Sequence, residues 1–292
     1  QNNEAMAITA LIFLFSPLAM TWPVMASGLS FSDALFETIS AVTTTGLSTA
    51  ITLTDKSQTF LFSRAWMQWV GGLGIVVLSM TVLIQPGLSA KRLDISDSFD
   101  DDIICGTRDI AQRTFIVYSL LTLAGIILLI ILGIDWFTSV LYILAAVSTG
   151  GFSPHDASLQ GLHNDYASGV VIAISMAGAI SLIVYYRFLH KGWRDVFCDR
   201  QVQAFFIVGL TITTVLSWIL WYHDGHDGIN ALRHGALNGL SALSTAGFSS
   251  LNVGEMGNGS KLTLIVAMAV GGCAGSTAGG IKIIRLLIVF RL

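Results

Sequence analysis

The 292-residue chain is 53% hydrophobic and only 11% charged, where a soluble domain carries about 25% charged residues. The formal net charge of −3 says nothing about nucleic acid, but the basic residues form no stripe and no nucleic-acid partner is expected. Three cysteines, Cys105, Cys198 and Cys273, show neither metal-ligand spacing nor a disulfide framework, which leaves a polytopic membrane protein bathed in lipid.

Crossing the hydrocarbon core takes about 20 mostly apolar residues. Six stretches qualify: 5–27, 66–85, 114–134, 167–189, 203–222 and 261–290. The first lacks a small-residue cleavage site and reads as a transmembrane helix rather than a signal peptide. The chain begins at Gln1 rather than Met, so its true start is expected upstream. The six stretches fall in pairs, and inside each pair lies a shorter run, 32–43, 138–148 or 228–244. These runs are too short or too polar to span, and suit a re-entrant half-helix.

Each short run leads into the same motif: Thr44-Thr45-Gly46-Leu47-Ser48, Thr149-Gly150-Gly151-Phe152-Ser153 and Thr245-Ala246-Gly247-Phe248-Ser249. The aligned glycines are 105 (151 − 46) and 96 (247 − 151) residues apart, and a near-constant period marks a repeat architecture. Lys and Arg set the orientation. Eleven of the fifteen (Lys91, Arg92, Arg108, Arg113, Arg187, Lys191, Arg194, Arg200, Lys282, Arg285 and Arg291) lie between units or at the C-terminal end. The connections are therefore expected on the cytoplasmic side and the motifs on the outer side.

Non-helical backbone at membrane depth is tolerated only where protein buries it or where it lines a water-filled cavity. Glycine allows conformations that turn successive carbonyls towards one axis. Thr and Ser add oxygens without charge, and a ring of such oxygens can replace the hydration shell of a cation. The C-terminal end of each half-helix, partially negative, would favour a cation further. Small-residue helix packing is the alternative for any single copy; the threefold recurrence favours a pore. A second glycine cluster, Gly271-Gly272-Cys273-Ala274-Gly275-Ser276-Thr277-Ala278-Gly279-Gly280, interrupts the sixth stretch. Each glycine costs a helix about 1 kcal/mol relative to alanine, so a break is expected there. Either tight packing or a flexible intramembrane gate, with Lys282 just beyond it, would account for the cluster.

Taken together, Phe36-Glu37, 43–46, Trp69-Val70-Gly71-Gly72-Leu73-Gly74-Ile75, 148–153 and 271–282 resemble the Trk/Ktr/HKT superfamily of potassium transporters, and within it the bacterial TrkH/TrkG membrane subunit. The resemblance covers nearly the whole chain. It implies an all-α membrane protein of helix–pore-loop–helix repeats, potassium-channel-like, four around one pore. Three are present here: 1–90 with pore loop 32–50, 113–190 with pore loop 138–155, and 203–292 with pore loop 228–250 and gate loop 271–280, joined by connections 91–112 and 191–202. A fourth repeat is expected after Leu292 and two further helices ahead of Gln1, and the 292 residues are not expected to conduct alone.

By the same resemblance, Thr44 to Leu47, Thr149 to Phe152 and Thr245 to Phe248 form the selectivity filter for potassium, the substrate, with no organic cofactor. Gly271, Gly272, Gly275, Ser276, Thr277, Gly279, Gly280 and Lys282 form the gate. The resemblance further implies a homodimer in the bacterial inner membrane, regulated by a cytosolic nucleotide-binding ring of the TrkA type.

The remaining polar clusters read more plainly. His155, Asp156 and His163, and the group His223, Asp224, His226 and Asp227, match no ligand pattern and suit solvated loops with N-cap carboxylates. Glu37 and Asp33 share a helix face, where a carboxylate can accept hydrogen bonds from the filter backbone. Gly71, Gly72 and Gly74 suit close helix packing. The competing function is a sodium- or proton-coupled alternating-access symporter, which would want an ionisable residue in mid-membrane. An enzyme lacks a nucleophile–base pair or a metal constellation.

Overall fold

The computed structural model describes residues 2–83, 107–185 and 199–291. Most of the two inter-unit connections, with Lys91, Arg92, Arg187, Lys191 and Arg194, lies outside them. Among the described residues the regular structure is helical throughout, with no strand. The helices are α1 (Asn2–Met25), α2 (Phe31–Val42), α3 (Gln58–Leu83), α4 (Thr107–Ile131), α5 (Trp136–Val147), α6 (Asp165–Ala179), α7 (Arg200–Tyr222), α8 (Gly228–Leu243), α9 (Asn258–Val270) and α10 (Ile283–Arg291). A long helix, a short helix, an irregular segment and a further helix thus recur three times.

Local chemistry starts the short helices. The Ser30 hydroxyl accepts from Asp33 N–H at 3.2 Å to cap α2. For α5, the Asp135 carboxylate accepts from Phe137 and Thr138 N–H. Such caps satisfy amides that the first turn leaves open. Asp227 holds the N-cap position of α8 without a side-chain hydrogen bond; Asp224 instead accepts from Ser260 Oγ at 2.9 Å and Gly257 N–H at 3.3 Å, tying α7 to the start of α9.

Each short helix packs between the long helices of its own unit. The first unit meets the second through α3 against α5 and α4, and the second meets the third through α6 against α8. The middle unit therefore has neighbours on both sides, and its short helix is enclosed from Leu141 through Gly150 without a break. Small residues permit the closest approaches. A Cβ on Gly71 would run into the Val42 carbonyl, and one on Gly178 into the Val147 carbonyl.

Helices α1, α3, α4 and α7 are long and apolar enough to cross a membrane. The two other expected spans are interrupted. Residues 261–290 divide into α9 and α10 around an irregular segment, 271–282. The stretch 167–189, read from sequence as one span, also breaks: α6 stops at Ala179, Ile180 is extended, and a helical stub occupies 182–185. The break has a tertiary cause. Gly178 O accepts from Thr277 N–H at 3.2 Å, Ala179 O from Cys273 N–H at 2.9 Å, and Leu182 N–H donates to Gly275 O at 3.2 Å. Segment 271–282 replaces the missing helical partners, so two broken helices mend each other.

Candidate functional site

The short helices end in the same way three times. Thr44, Thr149 and Thr245 donate N–H bonds of 3.0 Å to Ala41, Ala146 and Ala242. Thr45, Gly150 and Ala246, one residue on, donate at 2.8, 2.9 and 3.0 Å to Ser40, Ala145 and Ser241. This is the Schellman pattern, whose left-handed residue is ordinarily glycine. Here it is threonine, at φ of 54°, 51° and 56°, and the motif glycine two residues later is left-handed too, at 76°, 80° and 78°. A β-branched residue in that region is strained.

The turns nest against one another in order. A Cβ on Gly46 would strike the Gly150 carbonyl oxygen, and one on Gly151 would strike that of Ala246. Next to Gly247 there is open space among the described residues. Glycine is thus required at 46 and 151 twice over, by backbone conformation and by the neighbouring loop.

Side chains fix the loops from behind. Gln68, fully buried on α3, donates to Gly150 O at 2.7 Å and accepts from Phe152 N–H at 3.2 Å. The Gly150 carbonyl is thereby engaged with protein on the far side of the turn. Glu37, also fully buried, accepts from Ser48 Oγ at 2.5 Å and Thr49 N–H at 2.7 Å. Its other oxygen lies 3.0 Å from Arg64 Nε, a contact out of line for a hydrogen bond. Further out, Asp156 accepts from Leu53 N–H at 2.8 Å and joins the first loop to the second. Leu159 N–H to Ser249 O at 3.1 Å, with Gln160 Nε2 to Ser250 O at 2.9 Å, joins the second to the third.

Next to the turns lies a cavity of about 450 Å³, lined by Thr43, Thr44, Thr45, Thr149 and Thr245 of the turns, by Ile75 and Ser79 of α3, and by Ser276, Thr277, Ala278, Gly279, Gly280 and Lys282 of segment 271–282. Segment 271–282 is hydrogen-bonded to the loops it faces. Thr277 Oγ1 lies 3.0 Å from Val147 O and 2.9 Å from Gly178 O, and Gly279 N–H donates to Thr245 Oγ1 at 2.7 Å. Lys282, left-handed at φ 75°, donates its ammonium to Ala278 O. Gly271 and Gly280 are left-handed as well and pack directly on each other.

The family model for the TrkH cation transport proteins matches residues 16–292. The chain belongs to this family. It is 29% identical to the Trk system potassium uptake protein TrkH of Halomonas elongata over 305 residues, which takes in 100% of this chain and 62% of that relative. It is 29% identical to the protein of that name from Escherichia coli K12, over 98% of this chain and 59% of the relative. An uncharacterized cation transporter of Methanocaldococcus jannaschii is 31% identical over 99% and 59%. The crystal structure of the potassium transporter TrkH from Vibrio parahaemolyticus superposes with a TM-score of 0.87 at 24% identity, covering 99% of this chain and 61% of that one. The chain thus spans about three-fifths of the length of these relatives. Family and helices together make it a multi-pass membrane protein of the TrkH fold.

Within that fold the expected filter residues come together. Thr44 and Thr45, Thr149 and Thr245 share the cavity, Gly46 and Gly151 are seated on the next loop, and Phe152 and Phe248 are buried. Leu47 is exposed instead. Of the expected gate residues, Ser276, Thr277, Gly279, Gly280 and Lys282 line the cavity; Gly271 backs Gly279 and Gly280 from behind, and Gly272 and Gly275 face α6 and residue 182. Among the described residues no cluster of His, Cys, Asp and Glu could hold a metal ion. Gln68 and Arg64 escape a sequence reading, since each meets the second loop from another unit, more than eighty residues away in sequence from Phe152 (152 − 68 = 84).

Proposed function

We propose that the chain is the larger part of the pore-forming subunit of a potassium uptake system in a bacterial inner membrane. One observation carries the reading: three short helices, ended identically, deliver Thr44, Thr149 and Thr245 to the wall of one cavity. Each helix C-terminus carries about half a negative charge, and three of them focused on one point favour a cation over an anion. Backbone and hydroxyl oxygens of the Thr-x-Gly turns then substitute for water around a weakly hydrated ion such as potassium. In the second loop this role falls to oxygens other than that of Gly150, which Gln68 engages. Each long helix–short helix–loop–helix unit is one quadrant of the filter, and the open side of Gly247 is the seat of a fourth loop supplied by the rest of the protein.

Segment 271–282 is the gate. It lines the cavity on the side opposite the turns and is held there by individually modest hydrogen bonds, to Val147, Gly178 and Thr245 and through the backbone to Ala179 and Leu182. Retracting it would join the cavity to the cytoplasmic side. The relatives are named as parts of a Trk system, and we assign the opening signal to a cytosolic nucleotide-binding ring of the TrkA type acting on a homodimer of the membrane subunit.

Rubidium tracer uptake into vesicles holding the full-length protein tests the reading. Saturable uptake without sodium, only weakly inhibited by sodium, is the expected result. Uptake that requires a sodium or proton gradient would point to a coupled symporter instead, and no uptake would sink the pore.

A further inference from the structure

The glycine of each turn is preceded nine residues earlier by Glu37, Tyr142 and Asn238 (46 − 37 = 151 − 142 = 247 − 238 = 9). The three side chains share nothing chemically except the capacity to accept a hydrogen bond. All are buried on the short helices, and each grips the limb of chain leaving its own turn. Glu37 accepts from Ser48 Oγ and Thr49 N–H at 2.5 and 2.7 Å. Tyr142 accepts from Ser153 Oγ at 3.0 Å and donates to Ser158 O at 2.6 Å. Asn238 accepts from Ser250 N–H at 2.9 Å and donates to Ser250 Oγ at 2.8 Å.

We propose that this position is the fastening point of the outgoing limb in every loop, and that in the first loop it is extended by Arg64 into a link that sets the second. The Arg64 guanidinium, paired with Glu37, has its Cζ only 3.9 Å from the centroid of the Phe152 ring. Phe152 directly follows Gly151, so the pair on the first unit holds the second loop through the face of an aromatic ring. A desolvated cation over a ring is a strong contact, and a buried charge that lost its partner would be costly. Glu37, Arg64 and Phe152 thus form a chain of positioning residues. The position of one quadrant relative to the next, and with it the fit of the oxygens to the ion, depends on them. Asn238 carries no charge, and the phenylalanine of the third loop, Phe248, meets not a cation but the ring of Tyr142, the fastening residue of the second unit, at 6.0 Å between centroids.

This inference rests on the potassium-pore reading, and the test separates the two. In the full-length protein reconstituted in vesicles, Phe152→Leu and Arg64→Lys keep the charges and nearly the volume while removing the planar stack. Each is expected to lower the sodium concentration that half-inhibits rubidium uptake by about tenfold; for Arg64→Lys, which lies outside the filter, maximal uptake per folded protein should change less than about twofold. Phe152→Tyr, which keeps the ring face, should keep the half-inhibition by sodium of the unsubstituted protein. Glu37 itself is left intact, because its loss would strand the buried Arg64 charge and endanger folding. Variants whose maximal uptake falls while half-inhibition by sodium stays put would overturn the link and leave the pore standing. No uptake by the unsubstituted protein would sink both.

Discussion

Threonine in the left-handed region is expensive, by roughly 1–3 kcal/mol per residue, and the molecule accepts that cost at Thr44, Thr149 and Thr245. Glycine would be easier in each place, but it would bring no hydroxyl to the cavity. Thr245 shows the use most directly, since its hydroxyl accepts from Gly279 N–H across the cavity wall. Thr245→Val keeps shape and backbone strain and strands that amide. We expect a loss of about 1–2 kcal/mol, read as a lower melting temperature of the purified full-length protein, together with uptake less dependent on the opening signal. At Gly151 the demand is steric. A side chain meets both a φ of 80° and the Ala246 carbonyl, so Gly151→Ser should bring the permeability ratio of potassium to sodium towards one; an unchanged ratio would refute the assignment.

At the scale of elements, the two broken helices are one feature. Thr277 binds the carbonyls of Val147 and Gly178, one on the short helix and one at the break of α6. On the proposed gating reading, Thr277→Ala is expected to raise basal uptake, because it removes the hydroxyl from both carbonyls and leaves only the Thr277 N–H bond to Gly178 O, at a stability cost of about 1 kcal/mol; the two are measured by unstimulated rubidium flux and thermal denaturation. The glycine-rich break at 271–282 was visible in the sequence because its glycines are concentrated. The break after Ala179 was not, since Gly178-Ala179-Ile180 sits in an apolar run that could equally continue as helix, and only the partner segment stops it. The loop that follows the second turn adds a pH dependence. Burial, and then the nearby His163, hold His155 below the usual imidazole value, against a smaller opposing pull from Asp156. Its folded value lies below its unfolded one, so the unfolded chain binds more protons in between. Stability is full above the ordinary value near 6.5 and falls as pH drops towards the depressed one. A melting-temperature profile from neutral to mildly acidic pH should slope downward, and His155→Gln should flatten it.

For the molecule as a whole, the repeat was legible because one local motif, Thr-x-Gly-x-Ser after a short helix, encodes its own turn three times. Glu37, read as an acceptor for the backbone of its own loop, does accept from Thr49 N–H; the holds between units were not legible, because Gln68, Arg64 and Asp156 act across them, and sequence proximity says nothing about which helix will lie behind which loop. The nesting also bears on how many quadrants there are. Gly46 and Gly151 are each covered by the next loop, and Gly247 faces open space. If the remainder of the protein supplies a fourth loop, Gly247→Ala will harm rubidium uptake as severely as Gly151→Ala. A mild effect, reflecting the backbone strain of φ 78° alone, would argue that no such neighbour exists.

That nesting runs in one direction along the chain. The carbonyl that seats Gly46 belongs to residue 150, and the one that seats Gly151 belongs to residue 246. The first two turns are therefore moulded by segments the ribosome makes about a hundred residues later. While the chain is being synthesised, the first loop has to wait in the bilayer, its carbonyls unplaced, until α5 has been inserted beside it. A nascent chain arrested before α5 should expose residues 44–48 to a protease added from outside, and one arrested after α6 should protect them.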